Sequence, residues 1–325
     1  MPLLLSVDYY VIAHNVKNHL EGKPFCLVGI FVKSYLLFYG GSKFLTVASC
    51  LKKHHLWSNF IQLTLTQNMR ALDTEKEFSK WLLDVGDGKD GDILNLPEIC
   101  YPELQDPIAL LYGDIDFRNV TPQHLKDRAI LTATIDISLT LNNQVLSISP
   151  NDEFVYEAID KIVSDDPQDQ LTYPEEFLNS LNPTGMPPHK LYLKIGCIVM
   201  LLRNLSPLQG LCNGTRLIVT NLQRNIIETK TIDSVSKTFF IPRSPMVPSD
   251  SNMPFKFKRK QLPLRLAFCM TISKSQGQTF DKICLMLPKP VFSHGQLYVT
   301  LSRVRSFQSV TVVAPSRSIY NCVYK

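Results

Sequence analysis

The stretch "LAFCMTISKSQGQTF" (266–280) decides the fold. It opens as an apolar run suited to a buried strand and turns abruptly polar, with Thr271, Ser273, Lys274, Ser275, Gln276, Gly277 and Gln278 within eight residues. A strand that ends in a polar, Gly-containing turn and restarts as a helix sets backbone amides and short side chains beside phosphates. An ordinary strand-to-helix turn gives the same pattern, so the neighbours must decide. Downstream, "KICLMLP" (282–288) reads as a strand, about 293–304 as a helix, and "SVTVVAP" (309–315) as a further strand. Alternating strand and helix is the signature of an α/β domain.

Upstream of the turn the character differs. The run "FKFKRK" (255–260) follows closely spaced apolar segments: "LKIGCIVMLL" (193–202), "GTRLIVTNL" (214–222), "NIIETKTI" (225–232) and "TFFIPR" (238–243). Asn213-Gly214 and the polar stretch 221–225 supply turn chemistry between them. This spacing predicts a small antiparallel barrel inserted into the α/β domain. Earlier still, Ile61, Leu63 and Leu65 alternate as in a strand. Leu72, Phe78, Trp81, Leu82 and Val85 then line one helical face, with Gly86 and Gly88 as the stop. Thr121 is placed to cap a short helix with Pro122 at its first position, followed by a strand at Ala129–Thr132 and a helix over about 134–148. The acidic "SDDPQDQLTYPEEF" (164–177) reads as an exposed loop.

At 325 residues and 45% hydrophobic content, the chain can bury one large core or two modest ones and is not a disordered polymer. No apolar run approaches the ~18 residues that would span a bilayer, and Asp8 interrupts the opening segment, against a signal peptide. The 8 cysteines include no C-x-x-C pair, which suits free thiols in a reducing, intracellular compartment. The net charge of +5 conceals an asymmetry. Residues 1–185 hold 14 Lys/Arg against 25 Asp/Glu, a balance of −11, whereas 186–325 hold 20 against 4, a balance of +16. So uneven a distribution predicts that the second half meets a polyanion; a solubilising charged surface is the plainer alternative.

Taken in order, "LTQNMR" (65–70), "RAILT" (128–132), "YPEEFLNSLNPTGMPPHKLYLKIGCIVMLLRNL" (173–205), "GLCNGTRLIV" (210–219) and "PFKFKRKQLPLRLAFCMTISKSQGQTFDKICLMLPKPVFSHGQLYVTLSRVRS" (254–306) resemble the later half of the PIF-family DNA helicases. The likeness is strongest to the form carried by Helitron transposons, superfamily-one motors moving 5′ to 3′. The resemblance implies an α/β, RecA-like second motor lobe of the P-loop NTPase type, with an inserted SH3-like β-barrel and an incomplete first lobe. It divides the chain into a degraded remnant of the first lobe (1–58), the second lobe (59–196), the barrel (197–262) and the completion of the second lobe (263–325). By resemblance, Thr271, Lys274 and Ser275 face the DNA backbone, while Gln276, Gly277 and Gln278 approach the nucleotide. Ser273 stands where relatives carry Asn or His. Arg303 in "LYVTLSRVRS" takes the place of the arginine finger, whose delocalised charge stabilises the transferring phosphoryl group. Arg70 reaches the same phosphate from another direction. Plain surface arginines are the alternative for both. Lys256, Lys258, Arg259 and Lys260 alternate with Phe255 and Phe257, which suits phosphate neutralisation with an aromatic face for bases. An edge strand with its Phe residues in the core fits equally.

The resemblance also implies ATP and Mg²⁺ as cofactors and single-stranded DNA as partner. A complete motor needs G-x-x-x-x-G-K-[ST] and an acidic Mg²⁺ partner. Neither "EGKP" (21–24) nor "GDGKD" (86–90) meets that spacing, and both read as turns. The family's third motif falls at Gly29–Lys33, here "GIFVK", which lacks its acid, arginine and glutamine. The expectation is therefore a nuclear chain that does not hydrolyse ATP alone and whose missing N-terminal lobe is encoded upstream. The alternatives are a non-enzymatic single-stranded nucleic-acid-binding module and a transposon relic.

Overall fold

The computed structural model describes residues 9–14, 25–30, 61–64, 74–89, 91–118, 120–163, 172–183, 185–232, 237–248 and 255–323. The strands Tyr9–His14, Phe25–Ile30 and Ile61–Thr64 form an antiparallel sheet with the first in the middle. A four-stranded sheet runs in the order Cys269–Thr271, Arg128–Thr132, Lys282–Met286, Val310–Val313. Its last two strands are parallel, Ile283 opposite Val310 and Met286 opposite Val313. The chain divides into two compact units. One comprises Met1–Leu110, Leu131–Ala133 and Thr271–Lys325, and the other Leu111–Ile130 and Thr134–Met270.

In the first unit, the helix Lys76–Asp87 forms because Phe78, Leu82 and Val85 recur on one face and are buried together. Phe78 and Trp81 pack on Phe307, with ring centroids 4.9 and 4.8 Å away. The helix stops at Gly88, not Gly86. Gly88 adopts φ 63°, and a Cβ there would lie 2.9 Å from Val323. Gly86 lies inside the helix, where its missing side chain admits the Tyr298 ring; a Cβ would sit 3.0 Å from it. Tyr298 belongs to the helix Gln296–Leu301, whose six residues are all buried. That helix is shorter than the 293–304 expected, since Gln296 turns back and its Oε1 accepts from the amides of Phe292 and Ser293, both at 3.0 Å. The strand Ser318–Tyr320 pairs antiparallel with Ile93–Asn95.

In the second unit, Thr121 and Pro122 open the helix Pro122–Lys126 as the sequence suggests, and the Thr121 amide donates to His124 Nδ1 at 3.3 Å. The helix Ile135–Ile148 carries Asn142, which is 2% exposed. This one side chain grips the apolar run that leads into the polar turn. Its Oδ1 accepts from the amides of Phe268 (3.0 Å) and Cys269 (2.9 Å), and its Nδ2 donates to the Cys269 carbonyl at 2.7 Å. Tyr112 Oη donates to the Phe268 carbonyl at 2.7 Å. The Phe268 carbonyl also accepts from the Ile130 amide at 3.0 Å, and the run divides into Leu264–Leu266, paired with Ile198–Leu201, and Cys269–Thr271, paired with Arg128–Thr132. The β-rich part is a five-stranded antiparallel sheet, ordered Thr238–Pro242, Ile226–Thr231, Arg216–Leu222, Ile198–Leu201, Leu264–Leu266. A three-stranded sheet, Ser244–Met246, Phe257–Gln261, Ile159–Ile162, and the pair Phe154–Glu157 with Lys190–Leu193 accompany it. Of the loop expected at 164–177, Glu175–Ser180 is helical and 164–171 lie outside the described residues.

Candidate functional site

From Thr271 the chain enters a single 3-10 turn, Ile272–Ser275, rather than the helix expected after the strand. Gly277 follows with φ 82°, a left-handed conformation that glycine adopts without penalty. Gln278 closes the turn, its amide donating to the Ser275 carbonyl at 3.1 Å and its Nε2 to the Lys274 carbonyl at 3.1 Å. Ser273, Gln276 and Gly277 are exposed, and Thr271, Lys274 and Gln278 are half-buried. Ser275 corrects the expectation that it faces DNA. It is fully buried and its hydroxyl donates to the Ile272 carbonyl at 2.7 Å, so it holds the turn's shape.

Arg303 lies against this turn. Its Nη1 donates to the Gln278 carbonyl at 3.4 Å, its Nε to the Val299 carbonyl at 2.9 Å and its Nη2 to Ser302 Oγ at 2.6 Å. The Phe280 amide donates to the Arg303 carbonyl at 2.9 Å. The "SKSQGQTF" and "LSRVRS" segments are thus laced together, although 25 residues separate Gln278 from Arg303. Arg303 is only 2% exposed, neither a surface arginine nor an extended finger. Arg305, two positions on, is exposed, and sequence reading did not single it out. Arg70 lies outside the described residues, as do positions 31–33 of the altered third motif. Of the four residues expected at the nucleotide, Gln276 and Gly277 are exposed, whereas Gln278 and Arg303 are engaged in the bonds above. These four offer no ligand for Mg²⁺, and no group of three His, Cys, Asp or Glu able to hold a metal ion occurs among the described residues.

The basic run separates by strand alternation in the second unit. Lys256, Lys258 and Lys260 are exposed, whereas Phe257 (1%), Arg259 (0%) and Gln261 (0%) point into the core. One expectation is corrected, since Arg259 cannot neutralise a phosphate; of the two readings open for Phe257, the structure has the one with its ring in the core. Arg259 makes a two-pronged ion pair with buried Asp160, Nε to Oδ1 and Nη2 to Oδ2 both at 2.7 Å. Its remaining donors reach the carbonyls of Leu178, Leu181 and Pro187. Such full satisfaction is what allows a guanidinium to be buried. Arg216 donates to the carbonyls of Lys126 (2.8 Å) and Arg128 (3.0 Å), and burial lowers its pKa.

A sheet with a parallel strand pair, antiparallel β-rich sheets and a polar turn tied to an arginine make an α/β architecture. Solved structures of similar fold include the Pif1 helicase of Candida albicans, with TM-score 0.55 and 23% identity over 82% of this chain and 60% of that one. Bacteroides Pif1 bound to single-stranded DNA gives TM-score 0.51 and 24% identity over 78% of this chain and 52% of that one. In sequence, the PIF1-like helicase family matches residues 9–93, and the 2B domain of DNA helicase Pif1 matches residues 176–222. The ATP-dependent DNA helicase PIF1 of Rattus norvegicus is 33% identical over 190 residues, 58% of this chain and 27% of that protein. The Homo sapiens protein of the same name is 38% identical over 126 residues, 38% of this chain and 19% of that protein. The chain resembles the PIF1-like DNA helicases over these segments, and its matches span about a quarter or less of these curated relatives' length. No helix among the described residues is long and apolar enough to cross a membrane.

Proposed function

We propose that the chain is the second motor lobe of a PIF1-like, Helitron-type ATP-dependent DNA helicase, its β-rich part being an SH3-like barrel, and that these 325 residues alone do not hydrolyse ATP. The observation that carries the reading is the hydrogen bond between Arg303 and the Gln278 carbonyl, which joins the two segments that resemblance assigns to the nucleotide. Bound Mg-ATP would supply the transferable phosphoryl group. Gln276, Gly277 and Gln278 would orient it, and Arg303 would stabilise developing charge. To do so, Arg303 must leave its bonds to Val299 and Ser302, so the described arrangement is a resting one. Thr271 and Lys274 on the turn, and Lys256, Lys258 and Lys260 on the β-rich unit, would meet single-stranded DNA. The absence of a P-loop from the sequence supports inactivity alone, since positioning and electrostatics supply most of the catalysis of phosphoryl transfer. On this reading the protein works in the nucleus with a first lobe encoded upstream.

The test is an ATPase assay on the purified chain with and without single-stranded DNA. Background turnover in both is expected, and DNA-stimulated turnover would overturn the reading of the first lobe. A second reading, a non-enzymatic single-stranded DNA-binding module, is favoured by the +16 balance of residues 186–325. It predicts tight, salt-sensitive binding that ATP does not alter.

A further inference from the structure

We propose that Lys161 joins Lys256, Lys258 and Lys260 in one continuous face that tracks the phosphates of single-stranded DNA, a proposal that rests on the DNA-binding reading above. The central strand Phe257–Gln261 is flanked by Ile159–Ile162 on one side and Ser244–Met246 on the other. In this register Lys258 stands opposite Lys161, and Lys260 opposite Ile159 and Pro245. The Val163 amide donates to the Lys256 carbonyl at 2.8 Å, which extends the pairing one step further. Side chains alternate across a strand, so opposite residues share a face. The inner face holds Phe257, Arg259, Met246, Asp160 and Ile162, all buried. The outer face therefore holds all four lysines, with Ile159 (53% exposed) and Val163 (47%) between them.

This arrangement is costly without a ligand. Like charges directly opposite on a sheet destabilise it, and among the described residues none of the four lysines forms an ion pair. Glu175 lines the same cavity of about 380 Å³ as Lys161 but pairs with none of them. The buried Asp160 is consumed by Arg259 and by His189, whose Nδ1 lies 2.9 Å away. Alternate residues on a strand stand about 6.7 Å apart, so three lysines form a row and Lys161 stands beside its middle. A line of charge suits a repeating anionic chain better than a single phosphate, and the two aliphatic side chains suit sugars. Because Phe257 is buried, contact through the backbone, indifferent to base sequence, is the mode this face allows. Lys161 lies in the acidic half of the sequence, where charge counting hides it.

The test is a fluorescence-anisotropy titration of the full chain with a labelled oligothymidylate across a salt series. Each phosphate contact contributes about 0.7 to the slope of log K against log salt on single strands. K161Q should flatten the slope by about 0.7, as should K258Q, and the fourfold Gln variant by about 2.8. K161R should restore the wild-type slope, and K89Q, on the other unit, should leave it unchanged. All four sites are exposed, and circular dichroism checks that the fold is kept. If wild type binds with a steep slope and K161Q matches it, the face is overturned while the DNA reading stands. If wild type shows no salt-dependent binding, both fall.

Discussion

Replacing Asp160 by Ala tests whether Arg259 is part of the framework or part of a DNA surface. In the fold, Arg259 donates twice to Asp160 at 2.7 Å and three times to carbonyls at 3.0–3.1 Å, with no exposed surface. Removing the carboxylate keeps the three neutral bonds but strands a cation in the interior. Breaking a buried pair from one side costs about 3–5 kcal/mol, a large part of the roughly 5–15 kcal/mol that holds a domain together. Replacing both partners with apolar residues of similar size, D160L with R259M, should recover most of that loss, because no charge is left behind. The assay is urea denaturation of wild type, D160L, R259M and the double variant, read as a double-mutant cycle, with D160A measured alongside. Under conditions where R259M stays folded, its salt dependence of DNA binding should equal that of wild type. A D160A chain within about 1 kcal/mol of wild type would refute the framework reading, as would an R259M chain with a flatter salt slope.

Asn142→Leu should cost about 2–5 kcal/mol in the same assay, since it leaves the amides of Phe268 and Cys269 buried without their acceptor. Gly88→Ala should destabilise by more than Gly91→Ala. Both sites have positive φ, but only at Gly88 does the added Cβ meet Val323, whereas nothing lies within 4 Å of Gly91. Burial pushes the Cys197 thiol up to about 12 and the Cys100 thiol to about 11, from 9.0. The folded chain therefore holds these protons more tightly than the unfolded one. Their contribution to stability is complete below pH 9 and is lost as pH climbs towards 12; the C100A/C197A variant should show a shallower alkaline loss. Both thiols should also resist iodoacetamide at pH 8 until the chain is unfolded.

Local signals in the sequence carried much of the fold. The cap at Thr121-Pro122, the turn at Asn213-Gly214 and the strands 282–286 and 310–313 are each written within a few consecutive residues, and each appears where expected. What escaped notice depends on partners far away in the chain. Asn142 lies 126 residues from Phe268, so no local pattern announces that it binds the backbone before the turn. Arg259 looks like its lysine neighbours until Asp160, 99 residues earlier, is seen beside it. The alternation of Phe255 and Phe257 with the cations left two readings open, an aromatic face for bases or an edge strand with Phe in the core, and the run's overall charge invited grouping Arg259 with the lysines although it is buried. The pairing of "SQGQTF" with "LSRVRS" followed from resemblance, while the burial of Arg303 came only from packing.

The grip of Asn142 on residues 268 and 269 has a consequence for the register of the backbone there. An amide side chain held at a fixed point on a helix acts as an indexing pin, and the backbone fits it in one position only. A slip of one residue would offer it the wrong pair of amides and would invert every side chain of the short strand beyond. Insertions or deletions between Leu264 and Phe268 should therefore cost the bonds to Asn142, while loops of similar length elsewhere on the β-rich unit absorb them.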